Sequence, residues 1–454
     1  MTATTVTGPT YQEMLHPEQL PASLRRQALA ATSHELDPIN LFNITWHDDS
    51  GRVRALRLPD ALTGVEAPIV LLFAKDFPTG AHKVGATYSV LMEHQLKGDV
   101  KPGESTLVWP STGNYGIGGA WVGPRMGYES IVILPEEMSA ERFEKIAAYG
   151  AHAIKTPGCE SNVKEIYDEC KRLAARPDVR VMNQFEEMAN YRWHCNVTGP
   201  AAAEAVETLG AGRPAAFVSA MGSSGTIAAG DHLKARFGTK IVGLEPVQCP
   251  TLSRNGYGGH AIEGIGDKHV TWIHHVTNTD AMMAIDDQEC LLGLQLVAEP
   301  AGRDFLAGEG GLGDEARRLS TLLGVSGVCN ILGAIRTAKW LDLGKGDAVV
   351  TVATDGLDRY PSVLRRLEKT TGPLSRAKAE ANLASVFHGQ KLDWITEGTV
   401  ENRERWHNLK YFTWVEQLGK TVAELDAQRS EAWWRDHAAL AGETDRRLRE
   451  VRGW

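Results

Sequence analysis

The sequence predicts an α/β fold in which parallel sheets are covered by helices on both faces. Strand-like apolar runs at 131–134, 179–182, 216–219, 241–244 and 349–353 alternate with helical stretches such as 140–149, 163–174 and 201–209. Such alternation is the pattern of crossover connections between parallel strands. Two glycine-rich segments stand at strand-to-helix junctions, where α/β proteins bind ligands at the carboxyl ends of their strands. The chain has 454 residues, 43% of them apolar, enough for one large or two ordinary cores, since domains commonly run to about 100–200 residues.

The first informative element is Phe77-Pro78-Thr79-Gly80-Ala81-His82-Lys83-Val84-Gly85-Ala86. A lysine set among small and apolar neighbours after a Pro-Thr-Gly turn reads as a desolvated amine. Its pKa falls toward neutrality, which makes it a nucleophile able to form an imine. Next, Ser111-Thr112-Gly113-Asn114-Tyr115-Gly116 follows the apolar run 106–109 and precedes the small-residue stretch 117–122. Backbone N–H groups and hydroxyls converge at such a junction and suit an anion such as a carboxylate. Met221-Gly222-Ser223-Ser224-Gly225-Thr226 repeats the arrangement between 215–220 and the helical stretch 227–236. It lacks a Walker lysine and a dinucleotide fingerprint, and fits one compact phosphate. An imine-forming lysine, a phosphate cup and a carboxylate cup together describe an enzyme joining pyridoxal phosphate to an amino acid.

On these motifs, in this order, the chain resembles the fold type II pyridoxal phosphate enzymes of the tryptophan synthase β-subunit/cysteine synthase superfamily, over about 68–364. The resemblance implies that Lys83 carries the cofactor as an imine and that Asn114 bonds its phenolic oxygen. It also implies that Gly222, Ser223, Ser224, Gly225 and Thr226 hold its phosphate, while Ser111, Thr112, Gly113, Tyr115 and, in second rank, Gln184 bind the substrate carboxylate. Further matches are Asn183-Gln184-Phe185, Thr198-Gly199-Pro200, Gly243-Leu244-Glu245-Pro246 and Ala261-Ile262-Glu263-Gly264-Ile265-Gly266. Gly264 would face the cofactor. Thr354-Asp355-Gly356-Leu357-Asp358-Arg359-Tyr360 is similar to the family's Ser-Gly-Glu-Arg-Tyr stretch with altered spacing. Thr354 is therefore the candidate partner of the pyridine nitrogen, with Asp355 as the alternative.

The implied fold is two parallel-sheet, three-layer domains with a helical C-terminal extension. A small domain of residues 85–200 is inserted into a large one of 1–84 and 201–367, and a Trp-rich extension of 368–454 follows. The implied chemistry is β-elimination or β-replacement on a small L-amino acid, with Lys83 as the base at Cα and an aminoacrylate as the intermediate. A serine or threonine dehydratase and, more remotely, a non-catalytic scaffold or sensor are the alternatives. Thr79-Gly80-Ala81-His82-Lys83 is similar to the tryptophan synthase β-subunit, but the loops at 111–116 and 222–226 differ from that subunit's, which argues against an indole-condensing enzyme.

The net charge of −9 with both signs interspersed argues against nucleic acid or an anionic membrane as the main partner. No apolar segment approaches the roughly 20 residues of a membrane span, and residues 1–31 lack a signal-peptide core. The expected setting is the cytoplasm, the expected assembly a homodimer. Cys159, Cys170, Cys195, Cys249, Cys290 and Cys329 have no metal-ligand spacing and read as idle thiols. His194 reads as a packed histidine, and His260, His274 and His275 suggest no metal. The tail holds Trp394, Trp406, Trp414, Trp433, Trp434 and Trp454. Its helical periodicity predicts a terminal helix lined by Trp433, His437, Leu440, Leu448 and Val451, packed on its own subunit, across a dimer or as a lid.

Overall fold

A computed structural model of the chain describes residues 7–111, 113–158 and 162–453. Thr112, Cys159 and Trp454 lie outside the described residues. The strands, in chain order, are β1 (Ala55–Arg57), β2 (Ile69–Phe73), β3 (Thr106–Pro110), β4 (Glu129–Pro135), β5 (His152–Thr156), β6 (Val179–Val181), β7 (Arg213–Ala220), β8 (Lys240–Pro246), β9 (Ala281–Ile285), β10 (Asp347–Ala353) and β11 (Ile395–Glu397). They form a four-stranded sheet in the order β5-β4-β3-β6 and a seven-stranded sheet in the order β1-β2-β10-β7-β8-β9-β11.

The smaller sheet is parallel throughout. The larger is parallel across its five central strands and antiparallel at both edges, where β1 joins β2 and β11 joins β9. The expectation of parallel sheets thus holds for the interiors and not for the two edges. β1 and β2 are joined by a connection too short for a parallel crossover, which needs about a dozen residues or more, and β11 is a three-residue edge strand supplied by the C-terminal extension. Central strands such as β2 and β9 are buried along their whole length, as expected for strands covered on both faces. One apolar cluster runs from Val70, Phe217 and Val350 of the large sheet to Leu107, Trp109 and Val132 of the small one. Tyr88, Trp121 and Trp193 belong to the same cluster.

The C-terminal extension is not wholly helical, because β11 adds an edge to the large sheet. Its helices Val400–Lys410 and Glu431–Arg452 pack on the chain's own body. The Trp406 and Trp414 indoles donate to the Leu252 and Val270 carbonyls at 3.0 and 2.8 Å. The terminal helix buries Trp434, Ala441, Asp445 and Leu448, whereas Leu440 and Val451 are exposed. This corrects the predicted face. The interior stripe includes a carboxylate, Asp445, whose oxygens accept the Tyr11 and Gln12 N–H groups at 2.7 and 3.0 Å. It satisfies otherwise orphaned donors at the start of helix Tyr11–Leu15. Hydrophobic periodicity alone skips such a residue.

Candidate active site

Six loops that leave the carboxyl ends of β2, β3, β6, β7, β8 and β10 converge on one open cleft with about 540 Å³ of space between its atoms. Lys83, Ser111, Gly113, Asn114, Tyr115, Gln184, Gly222, Ser223, Ser224, Gly225, Thr226, Gly264 and Thr354 all line it. Every sequence-predicted site residue among the described ones is therefore brought together. Sequence reasoning assigned no role there to His82, Phe185, Ala220, Ile265 and Asp267.

Lys83 begins helix Lys83–Lys97, straight after the turn Pro78–Gly80 in which Thr79 has φ 71°. Its Nζ donates to Ser223 Oγ at 2.7 Å. Burial pushes the amine down to about 8, an effect partly offset by the negative charge of Asp267. The desolvated amine expected from its small and apolar neighbours is thus what the fold builds. His82 lies beside it with Nε2 2.8 Å from Thr226 Oγ1 and Nδ1 3.3 Å from the Thr354 carbonyl. A carbonyl only accepts, so Nδ1 carries the proton and Nε2 accepts from the threonine. Burial first, and the neighbouring Lys83 charge second, hold this imidazole down to about 3. It is a neutral strut between the turn and the cradle 222–226.

The cradle is drawn tight. Asn190 Nδ2 donates to Ser223 Oγ at 3.1 Å and to the Gln184 carbonyl at 2.9 Å. A Cβ on Gly225 would fall 2.1 Å from Asn190 Oδ1, so only glycine lets the loop lie against that amide. The helix Ala228–Phe237 follows and turns its N-terminus toward the loop, a site suited to an anion. Gly264 has φ 98°, a conformation that favours glycine. Its carbonyl lies 2.9 Å from where a Gly222 Cβ would be.

At the carboxyl end of β10, Thr354 faces the cleft and its Oγ1 is 2.8 Å from Ser326 Oγ. Asp355 turns away. Its Oδ2 accepts from Asn114 Nδ2 at 2.7 Å and from the Tyr360 hydroxyl at 2.9 Å. The Asn114 oxygen accepts from Arg142 at 3.3 Å and from Arg359, and Arg142 also pairs with Glu263 at 2.9 Å. Asn114 thus lines the cleft with its amide held by a buried charge cluster. Those partners come from segments far apart in the chain, and no local pattern announces them.

Ser111 Oγ accepts the Gly113 N–H at 2.9 Å, and Gln184 Nε2 donates to the Pro110 carbonyl at 3.3 Å. Burial raises the Tyr115 phenol well above its ordinary range, so it stays neutral. His194 is packed against His82 and Trp193, and the described cysteines Cys170, Cys195, Cys249, Cys290 and Cys329 are free and buried.

Comparison with known proteins agrees with this geometry. The profile of the pyridoxal-phosphate dependent enzyme family matches residues 72–355. A cysteine synthase of Staphylococcus aureus is 31% identical over 314 residues, covering 69% of this chain and 93% of the relative. The chain belongs to the pyridoxal-phosphate-dependent enzyme family. A probable cysteine synthase of Bacillus subtilis is 32% identical over 289 residues, 63% of this chain and 85% of that one. Among solved structures, the O-acetylserine-dependent cystathionine β-synthase of Helicobacter pylori is similar with a TM-score of 0.58 and 25% identity, over 69% of this chain and 95% of that one. An Entamoeba histolytica O-acetylserine sulfhydrylase gives 0.60 and 22% over 73% and 92%, a likeness of fold.

The cofactor of this family is pyridoxal phosphate, and the cleft suits it. It offers one amine of lowered basicity, a glycine-lined cradle at a helix N-terminus for a phosphate, and a neutral Thr354–Ser326 hydroxyl pair from which the neighbouring Asp355 carboxylate is turned away.

Proposed function

We propose that this enzyme carries out β-replacement or β-elimination on a small L-amino acid bearing a β-leaving group, in the manner of cysteine synthases. The observation that carries this reading is the meeting of Lys83, the 222–226 cradle and the 111–115 loop in one cleft. Similarity to cysteine synthases over most of their length supports it. Pyridoxal phosphate supplies an electron sink for the negative charge that develops at Cα.

In this reading Lys83 anchors the cofactor and then serves as the base that takes the α-proton. Gly222, Ser223, Ser224, Gly225 and Thr226 hold its phosphate, with His82 fixing the Thr226 hydroxyl. Thr354 offers a neutral hydroxyl to the pyridine nitrogen. Ser111, Thr112, Gly113, Tyr115 and Gln184 receive the substrate carboxylate, and Asn114 and Gly264 border the ring. A small domain of 85–200, which contains every strand of the four-stranded sheet, would close over a large one of 1–84 and 201–367. A homodimer of the cytoplasm completes the reading, and light scattering on the purified protein tests the assembly.

The deciding experiment follows the visible spectrum of the cofactor-loaded protein with O-acetyl-L-serine, L-serine, L-cysteine and L-threonine, while sulfide, ammonia and 2-oxo acid are assayed. Turnover of a β-substituted alanine supports the reading. A protein that takes up pyridoxal phosphate and responds to none of them refutes it.

A further inference from the structure

We propose that Asp267 is a second acid–base group of the cleft, acting on the β-substituent of the substrate while Lys83 acts at Cα, and that it fits the site to hydroxyl and thiol leaving groups. The proposal rests on the β-replacement or β-elimination reading above.

Asp267 directly follows Gly264-Ile265-Gly266, whose two glycines have φ 98° and 79°. Its backbone is fixed, because Thr251 Oγ1 donates to its carbonyl at 2.7 Å. Asp267 borders the same cleft as Lys83, Gly222 and Thr354, and its carboxyl is near enough to the Lys83 amine for the two charges to act on each other. The residue is only 8% exposed, yet Oδ2 has no hydrogen-bond partner among the described residues. A buried carboxyl left unpaired is costly, and such groups concentrate where a reaction uses them. Burial pushes it up to about 7, against the opposing pull of Lys83.

The groups around it leave that role to Asp267. Tyr167, from helix Val163–Leu173, is raised by burial and stays a neutral phenol. Cys249, past the end of β8, is a raised thiol. His269, in the same segment, is held down to about 4 by burial and is neutral. Glu245, at the end of β8, is occupied by the Leu252 and Ser253 N–H groups at 3.0 and 2.8 Å and by the Ser253 hydroxyl. Lys268 is exposed. Among the described residues, Lys83 is the cation that acts on the Asp267 carboxyl.

The step balances without a further reagent. As the Cβ–X bond breaks, its electron pair leaves with X, and the protonated Asp267 carboxyl gives X its proton, releasing water, a thiol or hydrogen sulfide. The resulting carboxylate takes the proton of an incoming thiol as the new Cβ–S bond forms, or is reprotonated by solvent. Hydroxide and thiolate leave poorly without that proton, water having a pKa of about 15.7 and a thiol about 8.5. Acetate, whose acid lies near the ordinary carboxyl range of about 4, needs none.

The test compares the wild-type holoenzyme with Asp267→Asn on four substrates: L-serine, L-cysteine, O-acetyl-L-serine and β-chloro-L-alanine. General acid catalysis predicts a fall in kcat/KM of about 10²–10³-fold with serine and cysteine, and less than about fivefold with the acetyl ester and the chloride. With L-serine the wild-type rate should decline as pH rises through about 7, and this limb should vanish in the variant. Infrared difference spectra of wild type minus Asp267→Asn, recorded without substrate, should show a protonated carboxyl lost over the same pH range. Asp267→Glu should recover part of the serine rate while Asp267→Ala does not, and all variants should bind pyridoxal phosphate within about twofold of wild type. An equal loss on all four substrates would mark a merely structural residue and overturn the proposal, as would no loss at all. If wild type turns over none of the four, the reading of the cleft falls and takes this proposal with it.

Discussion

Lys83 Nζ and Ser223 Oγ are joined by a 2.7 Å hydrogen bond that ties the start of helix Lys83–Lys97 to the cradle beneath the cleft. The amine that must be free of its proton to react therefore waits beside the loop that would hold the phosphate. Burial brings it to about 8, so roughly a tenth of it is neutral at pH 7, against less than about a thousandth for an ordinary lysine near 10.4. Covalent uptake of pyridoxal phosphate by the apoprotein, trapped by borohydride and located by peptide mass, should rise with pH to a midpoint near 8. Lys83→Ala should abolish attachment at that peptide. A midpoint above about 10 would show the amine to be solvated.

The cradle itself offers a steric test. Gly225→Ala would drive a methyl to 2.1 Å from Asn190 Oδ1, and that amide is held by its bonds to Ser223 and the Gln184 carbonyl. The loop must shift, so affinity for pyridoxal phosphate should drop at least tenfold, about 1.4 kcal/mol. The thermal midpoint of the apoprotein should move by only a few degrees. Titration of the apoprotein by fluorescence measures the first quantity. An unchanged affinity would mean that the phosphate binds elsewhere.

Much of this site could be read from the chain because its loops are local. Each is a short Gly/Ser/Thr segment between an apolar run and a helical stretch, and the helix N-terminus that gives it meaning follows within a few residues. Asp267 escaped because one acidic residue after a glycine turn reads as ordinary loop chemistry; only burial singles it out. The cluster of Arg142, Glu263, Asp355 and Arg359 escaped because its members stand up to 217 residues apart in the chain. Among the strands, the runs at 131–134, 179–182, 216–219, 241–244 and 349–353 were legible, whereas β2, Ile-Val-Leu-Leu-Phe, was not singled out. β9, Ala-Met-Met-Ala-Ile, was not, since alanine and methionine carry little strand preference. In the tail, Asp445 hid the true interior face of the terminal helix.

Asp445 also supplies a pH test with a definite sign. Burial pushes its carboxyl up to about 6, although the Tyr11 and Gln12 N–H bonds pull the other way. The folded state then holds a proton that the unfolded chain, near 3.9, releases earlier. The stability this group contributes is present below about pH 4 and is lost as pH rises through about 6. Asp445→Asn has no such loss. Its thermal midpoint should gain about 1–2 °C on wild type between pH 5 and pH 8, whatever the constant cost of replacing one acceptor oxygen. Calorimetry at both pH values checks this, and a difference independent of pH would refute it.

Lys410 provides the strongest test of what the extension does. Its ammonium is fully buried and donates to the Trp272 carbonyl at 2.9 Å, the His274 carbonyl at 2.7 Å and Gln428 Oε1 at 2.6 Å. Burial holds its pKa well below the ordinary lysine value. It fastens helix Val400–Lys410 to the segment that begins at Gly264 and carries Asp267. Lys410→Met keeps the length of the side chain and removes three buried hydrogen bonds, leaving Gln428 Oε1 without its donor, so it should cost about 2–4 kcal/mol and lower the thermal midpoint by roughly 2–4 °C. At a temperature where the variant is folded, turnover should fall more than affinity for pyridoxal phosphate, since the cradle at 222–226 is held by His82, Lys83 and Asn190 while the Asp267 wall is braced by the extension. Paired measurements of kcat and cofactor binding distinguish the cases. Equal losses in both would show that the extension stabilises the molecule as a whole and has no particular hold on the cleft.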